Sequence, residues 1–163
     1  YRGKTPCTDC DGSRLRKDAN DELIQQYPVY KDWILAYYDR WEEMLNGPIH
    51  GTVELFKKLK EKNSHNIYAL TNWSAETFPK ALQLFDFLHW FDGRVVSGEE
   101  MTRKPFKEIY DIILSRFNII AEQTLFIDDN LKNIIAAKEQ GINCIHFKSP
   151  EQLKEELSTY GIL

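Results

Sequence analysis

From Thr52 onward, four short apolar runs alternate with helical patterns, and this alternation leaves the chain few architectures. The runs cover residues 67–70, 94–97, 125–127 and 144–147, and the helical patterns cover 52–62, 75–85, 105–117, 131–140 and 151–159. Short apolar runs bounded by polar residues suit strands buried on both faces. Strands that alternate with helices imply a parallel sheet with right-handed crossovers. The expectation is an α/β core of three layers, a parallel sheet with helices on both faces. Pro79 is expected to kink the 75–85 helix or to sit in its first turn. Gly141 is expected at the C′ position of the 131–140 helix. Thr52 or Gly51 is read near the cap of the 52–62 helix.

The first 47 residues follow another pattern. Leu23, Ile24, Tyr27, Trp33, Ile34, Tyr37, Tyr38, Trp41 and Leu45 recur at three- and four-residue spacing, with Pro28 separating two helices. Asn46-Gly47-Pro48 is a strong stop. The chain therefore divides into a helical segment, 1–47, and an α/β core, 48–163. The aromatics Trp33, Tyr37 and Trp41 are read as packing residues rather than substrate contacts.

Bulk properties exclude several classes. A net charge of −4 and a pI near 5.6 leave no basic footprint for nucleic acid or an anionic membrane. No apolar stretch approaches transmembrane length. Of three cysteines, Cys7 and Cys10 form a C-x-x-C without the four ligands a structural zinc needs, and Cys144 reads as a small core residue. A reducing, cytoplasmic setting is the default for such usage.

The chemistry gathers at strand ends. Asp128 and Asp129 close the third run, and ligands of open α/β sheets bind beyond the carboxyl ends of strands. Adjacent carboxylates repel one another, and a hard cation such as Mg²⁺ removes that penalty. Alone, the pair also suits a solvated turn or a helix N-cap. Thr71-Asn72, followed by Trp73-Ser74, ends the first run, where a hydroxyl and backbone N–H groups can hold phosphate oxygens; alone, it is an ordinary turn. Lys104 lies just before a helix start, where a cation is unfavourable unless something anionic is near; alone, it is a solvated loop lysine. In a parallel sheet these ends point one way. Hydroxyl, ammonium and carboxylates then converge, as phosphoryl transfer requires.

These residues carry a resemblance. Thr71-Asn72, Arg103-Lys104-Pro105 with Tyr110, and Phe126-Ile127-Asp128-Asp129-Asn130 resemble motifs II, III and IV of the haloacid dehalogenase-like (HAD) superfamily, in order and spacing, over residues 48–163. The helical segment resembles the small cap of class I members. The resemblance implies a Rossmann-like fold and a Mg²⁺-dependent phosphatase of small phosphorylated metabolites. It implies catalytic roles for Thr71, Lys104 and Asp128. Asp129 becomes the direct Mg²⁺ ligand, with Asp128 orienting a bound water. Asn72, Trp73 and Ser74 line the pocket entrance.

One motif is missing. The family's nucleophile is the first Asp of an Asp-x-Asp or Asp-x-Gly at the end of the central strand, and it forms an aspartyl-phosphate. Asp9-Cys10-Asp11-Gly12-Ser13 imitates it, but the residues before it, with two charges, Gly and Pro, make a poor buried strand and are read as cap. The nucleophile is expected upstream of Tyr1, or something else is expected to fill the central slot between the strands ending at Thr71 and Asp128. The chain as it stands is expected to be inactive without that motif. Two alternatives remain within the family: a metal-free 2-haloacid dehalogenase acting on a halogenated molecule, and a non-catalytic binding module. A receiver-like signalling domain is disfavoured because there the acids come first and the lysine last.

Overall fold

The computed structural model describes residues 17–163; Cys7, Asp9, Cys10 and Asp11 lie outside the described residues. The helical segment holds α1 (Lys17–Gln26), a 3-10 turn at Pro28–Tyr30, α2 (Lys31–Asp39) and a second 3-10 turn at Trp41–Met44. Pro28 opens the first 3-10 turn and separates the helices as its ring requires. Trp33 and Tyr37 are exposed, whereas Trp41 is buried. The expectation that all three pack inward is therefore corrected for the first two. Helical spacing fixes which residues share a stripe, not what covers that stripe.

The core follows as α3 (His50–Lys62), β1 (Tyr68–Thr71), α4 (Phe78–Leu84), β2 (Gly93–Val96), α5 (Ser97–Glu100), α6 (Lys107–Arg116), β3 (Leu125–Asp128), α7 (Leu131–Glu139), β4 (Asn143–His146) and α8 (Pro150–Thr159). Several boundaries differ from the sequence reading: β1 and β4 each shift by one residue, α6 begins at Lys107 rather than at residue 105, and three further differences have a local cause. The helix expected from residue 75 begins at Phe78, with Pro79 in its first turn. Ser97 leaves β2 to open the short α5. The residue capping α3 is Ile49, not Gly51 or Thr52, and Gly51 lies inside the helix where a Cβ would meet Pro150 of α8 at 2.8 Å. Gly141 takes φ +79 just beyond α7, the left-handed conformation expected there.

All strand pairing among the described residues is parallel. β1 pairs with β2, Thr71 opposite Val96, and β3 pairs with β4, Asp128 opposite His146. Among the described residues the sheet is thus two parallel pairs, with no pairing between β1 and β3. The two pairs share one apolar face. Tyr68, Leu70, Val95, Phe126 and Cys144 pack with Ile109, Tyr110, Ile113 and Ala137 of α6 and α7. On the other face Leu125 and Ile145 pack with Leu55, Leu153 and Leu157 of α3 and α8. Neighbouring residues Cys144 and Ile145 face opposite layers, as strand pleating demands. The chain is an α/β protein with helices on both sides of parallel strands.

Candidate active site

Lys104 stands at the centre of the strand ends. Its ammonium donates to the Leu70 carbonyl of β1 at 2.6 Å and to Asp128 Oδ2 at the end of β3 at 2.7 Å. One side chain therefore joins the ends of two strands that do not pair. Its Nζ also lies 5.5 Å from the centre of the Phe126 ring. The two side chains are 10% and 6% exposed, so the ion pair is withdrawn from water. An ammonium has three N–H bonds. Two are used here, which leaves one for a further anion.

Asp128 is almost saturated. Its Oδ1 accepts from the Asn130 backbone N–H at 2.8 Å and from Asn133 Nδ2 at 2.9 Å. Asn130 caps α7, its side chain accepting from the Lys132 N–H. Asn133, on the first turn of that helix, is buried. Below them, Tyr110 donates its hydroxyl to the Asn133 carbonyl at 2.9 Å and sets its ring edge-on to Phe126. Burial, then the Asp128 charge, then Cys144 raise the Tyr110 pKa, so the phenol stays protonated and keeps donating. Burial also pushes the Cys144 thiol upward, consistent with a structural residue.

Asp129 differs from its neighbour. Its residue is exposed, and its backbone carbonyl accepts from His146 Nε2 at 3.0 Å in the tautomer that carries the proton there. Thr71 is half-buried, one residue beyond the Leu70 carbonyl that Lys104 holds. Thr71, Lys104, Asp128 and Asp129 are thus brought to one rim. Asn72 is turned inward on Lys104: Nδ2 donates to the Lys104 carbonyl and Oδ1 accepts from the Lys104 N–H, both at 2.9 Å. Its amide positions the lysine. Ser74 Oγ accepts from the Glu76 N–H, and Trp73 Nε1 donates to Thr77 Oγ1. Sequence reasoning did not single out Asn133. Its position five residues past Asp128, one turn into a helix with Asn at its N-cap, was the available signal.

A magnesium ion was tested against these donors. Among the described residues no group of three His, Cys, Asp or Glu side chains gathers to hold a metal. Magnesium commonly takes only one or two carboxylates together with phosphate oxygens and water. The exposed Asp129 carboxylate fits one such position, whereas Asp128 has most of its lone pairs engaged.

Comparison with known proteins gives the family. A model of the haloacid dehalogenase-like hydrolase family matches residues 3–147, and the chain belongs to that family. It is 35% identical over 80 residues to the sesquiterpene phosphatase astK of Aspergillus oryzae, spanning 49% of this chain and 41% of that protein. The chain thus spans less than half the length of this curated relative. A HAD family enzyme from Bacteroides thetaiotaomicron, solved with magnesium and inorganic phosphate, is 26% identical at a TM-score of 0.53, covering 60% of this chain and 52% of that one. A predicted HAD-like hydrolase from Porphyromonas gingivalis covers 93% of this chain and 76% of its own at a TM-score of 0.74, and at 18% identity it speaks for the fold alone. Among the described residues no helix is long and apolar enough to cross a membrane.

Proposed function

We propose that the chain belongs to a Mg²⁺-dependent phosphatase that acts on small phosphorylated molecules in the cytoplasm. The observation that carries this reading is the buried Lys104–Asp128 pair, with Thr71 and the exposed Asp129 carboxylate at the same rim. Its phosphatase relative and the family match support hydrolysis of a phosphate ester. The described helices before residue 48 serve as part of a cap for the core, 48–163. Thr71 holds a phosphoryl oxygen by its hydroxyl and neighbouring backbone N–H groups. Lys104 offers its remaining N–H to the phosphoryl group and to the attacking carboxylate. Asp128 fixes the lysine and, through Asn130 and Asn133, the start of α7. Asp129 is the ligand for magnesium, which when bound offsets phosphate charge.

The nucleophile is an aspartate carried on a strand between β1 and β3, where the two parallel pairs leave their facing edges without a partner among the described residues. Its carboxylate oxygen attacks phosphorus, the bond to the leaving oxygen breaks, and that oxygen leaves as an alkoxide that takes a proton from water. Water then cleaves the aspartyl-phosphate to inorganic phosphate and the free carboxylate.

Turnover of p-nitrophenyl phosphate by the full-length protein tests the reading. The expected result is Mg²⁺-dependent hydrolysis that Asp129→Ala abolishes. Halide release from a 2-haloacid without metal would replace it with the dehalogenase reading. Phosphate binding without turnover of any ester would leave a non-catalytic binding module.

A further inference from the structure

Asp129 is aimed by its backbone. Its carboxylate is exposed and has no hydrogen-bond partner among the described residues, so the peptide groups on either side of its Cα fix where its Cα–Cβ bond points. Both peptide groups are held. The Asp128 carbonyl accepts from the Phe147 N–H at 2.9 Å. In the next peptide, the Asn130 N–H donates to Asp128 Oδ1 at 2.8 Å and the Asp129 carbonyl accepts from His146 Nε2 at 3.0 Å. That peptide is gripped at both ends, by a carboxylate of β3 and by a ring of β4.

The three contacts differ in origin. The Phe147 bond continues the parallel ladder of β3 and β4, which any residue but proline could do. The Asn130 bond closes within a turn that Asp128 makes with its own neighbours. Only His146 brings a side chain from outside the corner between β3 and α7. Asp129 is exposed, so water could also serve its carbonyl. A ring on a strand adds a fixed position, which water does not have.

The fold places that ring. His146 is the register partner of Asp128 at the carboxyl end of β4. Cys144, two residues earlier, packs on the α6 and α7 face, and strand pleating sends His146 to the same side. The His146 carbonyl accepts from Gln152 Nε2 at 3.3 Å, and Gln152 Oε1 accepts from the Lys148 N–H at 3.0 Å. One amide in the first turn of α8 therefore ties down the backbone on both sides of Phe147, and with it the base of the ring. A ligand already aimed loses less freedom when its ion arrives.

We propose that His146 is a positioning residue for magnesium: by holding the Asp129 carbonyl it keeps the Asp129 carboxylate directed at the rim and so sets the affinity of the site for the ion. The proposal rests on the reading of Asp129 as the metal ligand and names the residue that orients it.

The experiment titrates the full-length protein with Mn²⁺, which takes the same oxygen ligands, and reads binding from the loss of the free-ion EPR signal. Wild type is expected to bind and Asp129→Ala to fail. His146→Asn, whose amide nitrogen stands at the reach of Nδ1, is expected to weaken binding by about tenfold, the lower end of what partners of metal ligands contribute. His146→Gln, whose amide nitrogen stands at the reach of Nε2, is expected to restore most of it. The Mg²⁺ concentration for half-maximal turnover of p-nitrophenyl phosphate should rise in His146→Asn by a like factor, with kcat at saturating Mg²⁺ falling less. Where His146→Asn does not fold, His146→Phe keeps the ring and removes the donor, with the same tenfold loss expected. Wild-type affinity in His146→Asn, or a turnover lowered by one factor at every Mg²⁺ concentration, overturns the role of His146 and leaves the phosphatase reading intact. Equal Mn²⁺ binding by wild type and Asp129→Ala overturns Asp129 as the ligand, and the role of His146 with it.

Discussion

Asn72 and Lys104 are tied to each other twice, 32 residues apart in sequence, through both ends of one amide and both backbone groups of the lysine, each bond 2.9 Å long. The pairing fixes the lysine backbone against the end of β1, so that the ammonium reaches both Leu70 and Asp128.

Asn72→Ala removes both bonds and frees the lysine loop without touching the reacting groups. We expect kcat in the full-length enzyme to fall by about 10²-fold, the scale on which small misplacements act, with KM changing less. Asn72→Asp keeps the acceptor for the Lys104 N–H and loses the donor to its carbonyl, so it should lie between wild type and alanine. Steady-state kinetics of the three proteins checks this order.

Lys104→Met leaves the buried Asp128 carboxylate without its cation. Removing one partner of a buried pair costs roughly 3–5 kcal/mol, whereas replacing both with neutral groups costs much less. The double variant Lys104→Met/Asp128→Asn is therefore expected to be more stable in urea than Lys104→Met alone. Both should be inactive. A single variant as stable as wild type would mean that the pair is better hydrated than its 10% and 6% exposures imply.

The sequence disclosed the β3 to α7 corner almost completely. An apolar run, twin acids and Gly141 each act through neighbours along the chain, and the strand, the helix after it and the glycine appear where read, although the α7 cap is Asn130 rather than an acid of the pair. The segment from Trp73 to Phe78 was less legible. Its helical pattern begins at residue 75, but the chain stays in a loop until Phe78 because Trp73 is bonded to Thr77 and its carbonyl is held by Gly98 and Ser97. Gly98 and Ser97 lie just past the end of β2, and no local spacing announces them. The same holds for Asn72, read as lining a pocket and found clamping Lys104. In the helical segment, periodicity gave helices and a break at Pro28, yet Trp33 and Tyr37 proved exposed, because a stripe does not name its cover.

Asp92 gives the fold a pH dependence away from the site. It accepts from Lys60 of α3 at 2.6 Å and from the Ile67 N–H before β1 at 2.6 Å, and these two bonds hold its pKa below the usual carboxylate range. A carboxylate with a lowered folded pKa stabilises above its unfolded value, near 3.9, and the contribution is lost as pH falls through the folded pKa. Asp92→Asn is expected to cost about 1 kcal/mol at neutral pH, since the pair is partly exposed. The difference from wild type should shrink as pH falls below about 4. Urea unfolding from pH 7 to pH 3 measures it. A gap that grows on acidification would contradict the assignment.

Gly98→Ala tests the foundation of the Trp73 segment. The added methyl would lie 2.3 Å from the Ala75 nitrogen and 2.8 Å from the Trp73 carbonyl oxygen, both backbone atoms that cannot swing aside as a side chain would. The chain must shift either at α5 or at the loop between Asn72 and Ala75. Overpacking of this kind costs about 1–3 kcal/mol. A shift of the loop also moves the Asn72 amide relative to Lys104, so activity should fall by more than the loss of folded protein explains. The tryptophan emission, to which Trp33, Trp41 and Trp90 also contribute, should change with it, because the Trp41 and Phe78 contacts of Trp73 depend on the same backbone. A variant that loses stability but keeps wild-type specific activity per folded molecule would show that the displacement is absorbed at α5 and that the lysine clamp stands apart from it.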